Sequence, residues 1–334
     1  MEKYVINLDL HGGDFAPNSV LEGASIVLSK YPAIHFKLHS TKELKEQFSN
    51  KFSKIFHKSD WVESNNIISP DMKPSEALKK DYRKSSMSNA ISDLKNNDNE
   101  ITISAGNTGA MMAYATVYLR TIENISRPAI ASLFPSKNHP VCFLDLGANS
   151  DCTAENLLDF AIMGSTYYQV LYPDIKCKVA LLNIGSEEIK GNNLIQQTHD
   201  LLKNENRINY QGFVEANEIT NTTNHVIVTD GFSGNIALKT AEGVSKFITD
   251  SLKKSLTSSV YSKALSFLLK NKFQDFKNSI DPRNFNGGIF IGVNGIVIKS
   301  HGNADGHAFA NAIEFGLKCL KSNLLNKIKS NVSS

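Results

Sequence analysis

Cysteine is sparse: Cys142, Cys152, Cys177 and Cys319 are the only four in 334 residues, and they form no CxxC pair and no Cys/His ligand spacing. A zinc site is disfavoured, and scattered thiols fit a reducing compartment better than a disulfide framework. An excess of either charge is missing too. The net charge is +3, with no Lys/Arg-rich block and no basic-aromatic pattern, so nucleic acid is not an expected partner. No apolar run approaches the ~20 residues that a membrane span needs. The chain enters a strand at residues 4–8 without a basic-then-apolar leader, which sets the expectation of a cytosolic protein. Catalytic signatures are lacking as well: no nucleophile elbow, no P-loop, no Ser-His-Asp order, no GxGxxG after the first strand. Covalent nucleophilic catalysis and dinucleotide binding have little support, and neither a metal nor an organic cofactor is expected.

What is present is the composition of a globular protein, 41% hydrophobic and 21% charged, long enough for one large domain or two. Apolar, β-branched runs at residues 5–10, 35–40, 101–103, 129–134, 141–146, 178–184, 208–213 and 226–229 predict strands. Helical spacing falls between them, over residues 19–29, 42–48, 75–80, 89–95, 111–120 and 156–171, then up to residue 203 and over 236–252. A last helix is expected over 308–325, and residues 287–298 read as strand, turn and strand. Residues 50–66 are polar and give no clear element. Alternating strands and helices predict a largely parallel α/β sheet whose carboxyl ends gather their turns around one cleft.

Those turns share a grammar, clearest at residues 101–113 (ITISAGNTGAMMA), where a short strand breaks at Ser104-Ala105-Gly106 and a helix opens behind Asn107-Thr108-Gly109. Small residues let the backbone approach a ligand, and the open N–H groups of a first helical turn favour an anion. One such turn can be glycine-rich for packing alone. Here the pattern recurs at residues 9–14 (Asp9, Gly12, Gly13, Asp14), 145–149 (Asn149), 183–191 (Gly185, Glu188, Lys190), 230–235 (Asp230, Gly231, Gly234, Asn235) and 300–303 (His301). Lys190 on a glycine-flanked turn suits phosphate as a point charge. Glu188 is expected to orient that lysine or cap a helix, and His301 to face a ligand as donor or base. The set favours binding and positioning of phosphate.

Residues 252–280 differ in kind. Leu252, Leu256, Val260, Leu265, Leu268, Leu269, Phe273 and Phe276 form an apolar stripe with lysines between them. A basic amphipathic helix or hairpin of this sort fits a membrane surface or a partner groove, and equally a core or dimer contact.

Taken together, Asp9-Leu10-His11-Gly12-Gly13-Asp14, Lys73-Pro74-Ser75, Ser85-Ser86-Met87, Ser104-Ala105-Gly106-Asn107-Thr108-Gly109-Ala110, Arg127-Pro128-Ala129, Asp145-Leu146-Gly147-Ala148-Asn149 and Phe160-Ala161-Ile162-Met163-Gly164 carry a resemblance. So do Leu182 through Gly191 (LNIGSEEIKG), Asp230-Gly231-Phe232-Ser233-Gly234-Asn235 and Ser300-His301-Gly302. In order and over nearly the whole chain, the sequence resembles the bacterial acyl-acyl carrier protein:phosphate acyltransferases of phospholipid synthesis. It departs at Leu10-His11, where the family usually has Ala-Met, and at Ile289-Phe290-Ile291-Gly292, where the family has Ala-Pro-Leu-Leu-Gly.

The resemblance implies one three-layer α/β/α unit of intertwined subdomains over residues 1–330. Its mixed, largely parallel sheet would be Rossmann-like, of the isocitrate/isopropylmalate dehydrogenase kind, with residues 252–280 as a protruding amphipathic helical hairpin. It implies transfer of a long-chain acyl group from acyl carrier protein to inorganic phosphate by a homodimer. A membrane glycerol-3-phosphate acyltransferase would use the product, and peripheral membrane association through Leu256, Val260, Leu265, Leu268 and Leu269 would follow. Backbone N–H groups at 107–109 and Lys190 would hold phosphate, Asn235 or Asn107 would stabilise the oxyanion, and His301 or Asp230 would steer protons. Asp9, Gly12, Gly13, Asp14, Ser104, Gly106, Asn149, Gly185, Glu188, Gly231 and Gly234 would complete the substrate site. Two other readings stand beside this one: a non-enzymatic, membrane-docked scaffold for acyl carrier protein, and a dehydrogenase of the related fold.

Overall fold

Alternation of buried side chains along each strand dictates the layering. In the segment Val141–Leu144, Cys142 and Leu144 join one apolar cluster while Val141 and Phe143 join another, and Ile289, Phe290 and Ile291 divide in the same way. A strand buried on both faces needs a helical layer on each. The computed structural model describes residues 4–95, 97–257, 269 and 287–333 and has that arrangement. On one face lie the helices Asn18–Lys30, Ala154–Leu171, Gly306–Lys321 and Leu324–Ser333; on the other lie Ser86–Ser92 and Thr108–Leu119.

The strands are β1 (Val5–Asp9), β2 (His35–Ser40), β3 (Ser59–Glu63), β4 (Glu100–Ser104), β5 (Ala129–Phe134), β6 (Val141–Leu144), β7 (Val179–Asn183), β8 (Tyr210–Glu215), β9 (Val226–Val228), β10 (Gly288–Ile291) and β11 (Ile296–Lys299). They form one 11-stranded sheet in the order β3-β2-β1-β4-β11-β10-β5-β6-β9-β7-β8. From β3 to β11 the pairing is parallel, and from β6 to β8 it is parallel again. Three antiparallel steps, β11 to β10, β10 to β5 and β5 to β6, join the two groups. An odd number of reversals leaves the groups pointing in opposite directions.

That corrects one expectation. The turns after β1, β4 and β11 lie at one edge of the sheet, and those after β6, β7 and β9 at the other, so carboxyl ends alone do not converge. The helix Gly231–Leu256 reconciles them. It starts after β9 with Gly234 against the Asp145 carbonyl, and three turns later Glu242 Oε1 stands 3.7 Å from His301 Nδ1. The cleft is therefore bounded by the turns after β1, β4 and β11 on one side and by the turn after β6 with the long helix on the other, and it is floored by β5 and β10.

Other boundaries also moved. The stretch at residues 50–66 contains the helix Ser53–His57 and the edge strand β3. The helix expected over 236–252 begins five residues earlier and ends at Leu256, continuous with the start of the expected hairpin. Of that hairpin, Val260, Leu265 and Leu268 lie outside the described residues, whereas Leu256 is half-buried and Leu269 is exposed. The expected last helix is two helices, broken where Asn323 adopts a φ of 55°.

One buried group gives the fold a pH signature. His39 on β2 is fully buried, pairs through Nε2 with Asn7 Oδ1 at 3.0 Å, and has no partner for Nδ1 among the described residues. Burial, reinforced by Lys37, pushes its pKa from 6.5 down to about 3. Between those values the unfolded chain binds a proton that the folded chain refuses, so stability is full above pH 6.5 and is lost as pH falls toward 3. His39→Gln keeps a donor for Asn7 and removes the titration. Urea titrations at stepped pH should then show a slope shallower by up to about 1.4 kcal/mol per pH unit. An unchanged slope would mean that the folded protein protonates His39 freely.

Candidate active site

The first wall of the cleft is built from three neighbouring strand ends. Asp9 closes β1 as a buried carboxylate that accepts from Ser86 Oγ at 2.6 Å, Ser104 Oγ at 2.7 Å and the His11 N–H at 3.2 Å. It ties β1, β4 and the helix Ser86–Ser92 together rather than facing the open space. Gly12 crosses directly over Gly106, where a Cβ would stand 2.6 Å from the Gly106 nitrogen, so no side chain fits. The Asp14 N–H donates to the Gly302 carbonyl at 2.7 Å and joins the first turn to the one after β11.

Asn107 caps the helix Thr108–Leu119: its Oδ1 accepts from the Ala110 N–H at 2.9 Å. Its Nδ2 donates to the carbonyls of Pro70 at 2.9 Å and Met72 at 2.8 Å. Both ends of that amide are thus committed to structure, and an oxyanion role would break them. The N–H groups of Thr108 and Gly109, by contrast, meet no acceptor among the described residues, and Thr108 lines the cleft.

The opposing wall rests on Asp145. Its carboxylate is fully buried and accepts from the N–H groups of Ile130 at 2.9 Å, Ala148 at 3.1 Å and Asn149 at 2.7 Å, and from Asn149 Nδ2 at 2.9 Å. Burial raises its pKa while the four donors pull it back. Asn149 spends its amide there and on the Pro128 carbonyl at 2.7 Å. Asp230 caps the long helix, accepting from Ser233 N–H and Oγ at 2.8 Å each. Gly231 and Gly234 let that helix press on the Asp145 turn; at Gly234 a Cβ would collide with the Asp145 carbonyl oxygen. The next residue, Asn235, is exposed, packs beside Gly147, and has no partner for its amide among the described residues.

Between these walls is a cleft of about 480 Å³. Of the residues expected at the site, Gly13, Asp14, Gly106, Asn107, Thr108, Asn235 and His301 line it. Asp9, Gly12, Ser104, Gly109, Asn149, Asp230, Gly231 and Gly234 support it from behind. Gly185, Glu188 and Lys190 are not brought to it. Their loop follows β7, which β9 separates from β6, and is held back on its own elements: Asn183 Nδ2 donates to the Lys190 carbonyl at 3.1 Å. Glu188 pairs with Lys203 at 2.8 Å, not with Lys190. The same loop leaves Ile184 and Ile189 81% and 89% exposed.

The cations lining the cleft are ones the sequence reading did not select. Lys299, the last residue of β11, donates to the Ala105 carbonyl at 3.3 Å and to the Ser300 carbonyl. Burial, with Lys239 nearby, lowers its pKa to about 8. Lys239 lies one turn beyond Asn235 and pairs with Glu242 at 2.8 Å. His11 and His301 both line the cleft and are lowered by burial, hence neutral at pH 7. The ring of His11 is held by Ser40 Oγ at 2.7 Å and by the Thr41 N–H at 3.3 Å, both at Nε2. A lone lysine closing the apolar run Ile296-Val297-Ile298 was the available signal for Lys299. Cys152 does not line the cleft, and burial raises its thiol to about 11, so no activated thiol is present there.

The fatty acid synthesis protein family model matches residues 4–327. A phosphate acyltransferase of Pelagibacter ubique is 40% identical over 333 residues, covering 98% of both chains. Another, from Wolbachia pipientis wMel, is 42% identical over 336 residues, covering 98% of this chain and 96% of the relative. This chain belongs to the phosphate acyltransferase family. Its fold is that of the phosphotransacetylases: the enzyme from Streptococcus pyogenes superposes with a TM-score of 0.59 at 14% identity, over 99% of this chain and 95% of the other. A phosphate acyltransferase needs a place for phosphate and a donor for the oxygen that becomes negative when an acyl carbonyl is attacked. The open helix turn and the two lysines line the cleft, and so does Asn235, whose amide has no partner among the described residues.

Proposed function

We propose that this acyltransferase moves a long-chain acyl group from the thioester of acyl carrier protein to inorganic phosphate, releasing acyl phosphate and the free carrier thiol, an early step of bacterial membrane phospholipid synthesis. The observation that carries the proposal is that one cleft is lined both by Thr108, in a first helical turn whose N–H groups meet no acceptor among the described residues, and by Asn235, whose amide has no partner among them. A phosphate oxygen forms the new C–O bond, the C–S bond breaks, and the proton of hydrogen phosphate ends on the departing sulfur. Phosphate is already a competent nucleophile, so holding the two reactants in line provides most of the acceleration. Asn235 stabilises the oxyanion. His301, at the cleft wall, steers the proton.

The donor, assembly and location follow from the same reading. Acyl carrier protein approaches the mouth of the cleft, a second copy of the chain forms a homodimer, and a membrane glycerol-3-phosphate acyltransferase takes the product. The exposed apolar residues Phe232, Ile236, Val244 and Phe247 on the long helix support a docking role for that face. Peripheral contact with the inner face of the cell membrane is assigned to the segment from Leu256 through Leu269. No helix among the described residues is long and apolar enough to cross a membrane.

The test is a steady-state assay of thiol release from long-chain acyl-acyl carrier protein, with the acyl product trapped by hydroxylamine. Thiol matched by hydroxamate, only when phosphate is present, is the expected result. Tight carrier binding without turnover would leave a scaffold.

A further inference from the structure

We infer that Lys299 is the residue that holds the attacking phosphate, acting with the open first turn of the helix Thr108–Leu119. This rests on the acyltransferase reading above and gives its nucleophile a binding group. The ammonium is anchored on the carbonyls of Ala105 and Ser300, which sets it beside the turn that leads into the helix. Two of its three protons are used in this way, and the third is left for the cleft that the side chain lines.

The charges around it call for an anion. The helix end carries a partial positive charge, and Lys239 adds another cation on the same cleft. The carboxylates nearby do not neutralise Lys299 directly. Glu242 is engaged by Lys239 at 2.8 Å and stands 3.7 Å from His301, and Asp14 acts on the lysine without forming an ion pair with it. A buried ammonium beside a helix N-terminus is stabilised by a ligand with two negative charges, because each like-signed neighbour raises the cost of the other until the anion arrives. Lys190 answers this need poorly, since its loop is not part of the cleft lining. Lysine suits the position as a compact point charge; a planar guanidinium would have to give up one of the two carbonyls.

The experiment measures binding of inorganic phosphate to the folded full chain by isothermal titration calorimetry, and the KM values for phosphate and for acyl carrier thioester, in wild type, Lys299→Met and Lys299→Arg. Loss of one charge-assisted contact is expected to weaken phosphate binding and raise its KM about 10- to 100-fold, with the KM for the thioester little changed. Lys299→Arg should recover most of the affinity. A second measurement needs no variant that folds poorly. In the wild type, phosphate affinity should fall about tenfold per pH unit above about 8 as Lys299 loses its proton, and Lys299→Arg should abolish that fall. Of the other groups facing the site, His11 and His301 are already neutral there, while Asp14, Glu242 and Lys239 are present in both proteins and cannot account for a difference between them. Unchanged phosphate affinity in folded Lys299→Met, or an affinity flat to pH 10, would overturn the inference. Lys299-dependent phosphate binding without thiol release would keep this site and remove the acyltransferase reading. Thiol release with an unchanged phosphate KM in Lys299→Met would do the reverse.

Discussion

Asn235→Ala should lower kcat by about 10²- to 10³-fold, the usual loss when one oxyanion donor is removed. Phosphate affinity and folding stability should both stay near wild type. The separation of effects comes from the geometry. Asn235 is exposed at the cleft wall and its amide binds nothing else among the described residues, so truncation removes a donor without leaving a buried group unpaired. Asn107 is the contrast. Its amide already caps a helix and pins the loop at Pro70 and Met72, so Asn107→Ala should cost about 1–2 kcal/mol of stability. Steady-state rates and urea denaturation on the two variants distinguish these fates. Full turnover in Asn235→Ala would remove that residue from the chemistry.

The largest stability effect should fall one residue earlier. Gly234→Ala drives a methyl group into the main-chain carbonyl of Asp145, at the turn whose carboxylate organises the second wall. Neither partner can yield. The carbonyl belongs to the backbone of that turn, and the helix is fixed at its start by the Asp230 cap. A loss of about 3 kcal/mol or more is expected, at the upper end of overpacking effects. Gly243 in the same helix provides the control, because a Cβ there meets nothing within 4 Å. Gly243→Ala should stabilise the protein by about 0.5–1 kcal/mol through helix propensity alone. Chemical denaturation of the two variants should move in opposite directions, and equal shifts would refute the packing argument.

The strands were legible because apolar alternation is written in the chain, and ten of the eleven correspond to runs or turns read from sequence. The exception is β3, SDWVE, an edge strand with too little apolar content to announce itself. Strand direction was hidden for a different reason. A period of two reads the same both ways, so nothing in the sequences of β5 and β10 marks them as antiparallel. This is why the turns were expected at one edge and are found at two.

The site was legible as a collection of turns but not as a set of roles. Asn, Asp and Ser serve as helix caps through the same hydrogen bonds that make them attractive as catalytic groups. Asp230 and Asn107 turn out to be occupied as caps and Asn149 is spent on Asp145 and the Pro128 carbonyl, whereas the Asn235 amide has no partner among the described residues. Lys190 stood out by its glycine neighbours yet lies off the cleft, whereas Lys299 was disguised as the polar end of an apolar strand. Contact across β4 and β11, 195 residues apart from Ser104 to Lys299, is what gives the second lysine its place.

The central claim is that phosphate itself attacks the thioester, without a covalent acyl-enzyme. Rapid-quench analysis of one turnover, with enzyme and long-chain acyl-acyl carrier protein in comparable amounts, tests it most directly. Without phosphate, no carrier thiol should appear. With phosphate, thiol and acyl phosphate should rise together with one rate constant. A burst of thiol equal to the enzyme concentration in the absence of phosphate would reveal an acyl-enzyme and contradict the account.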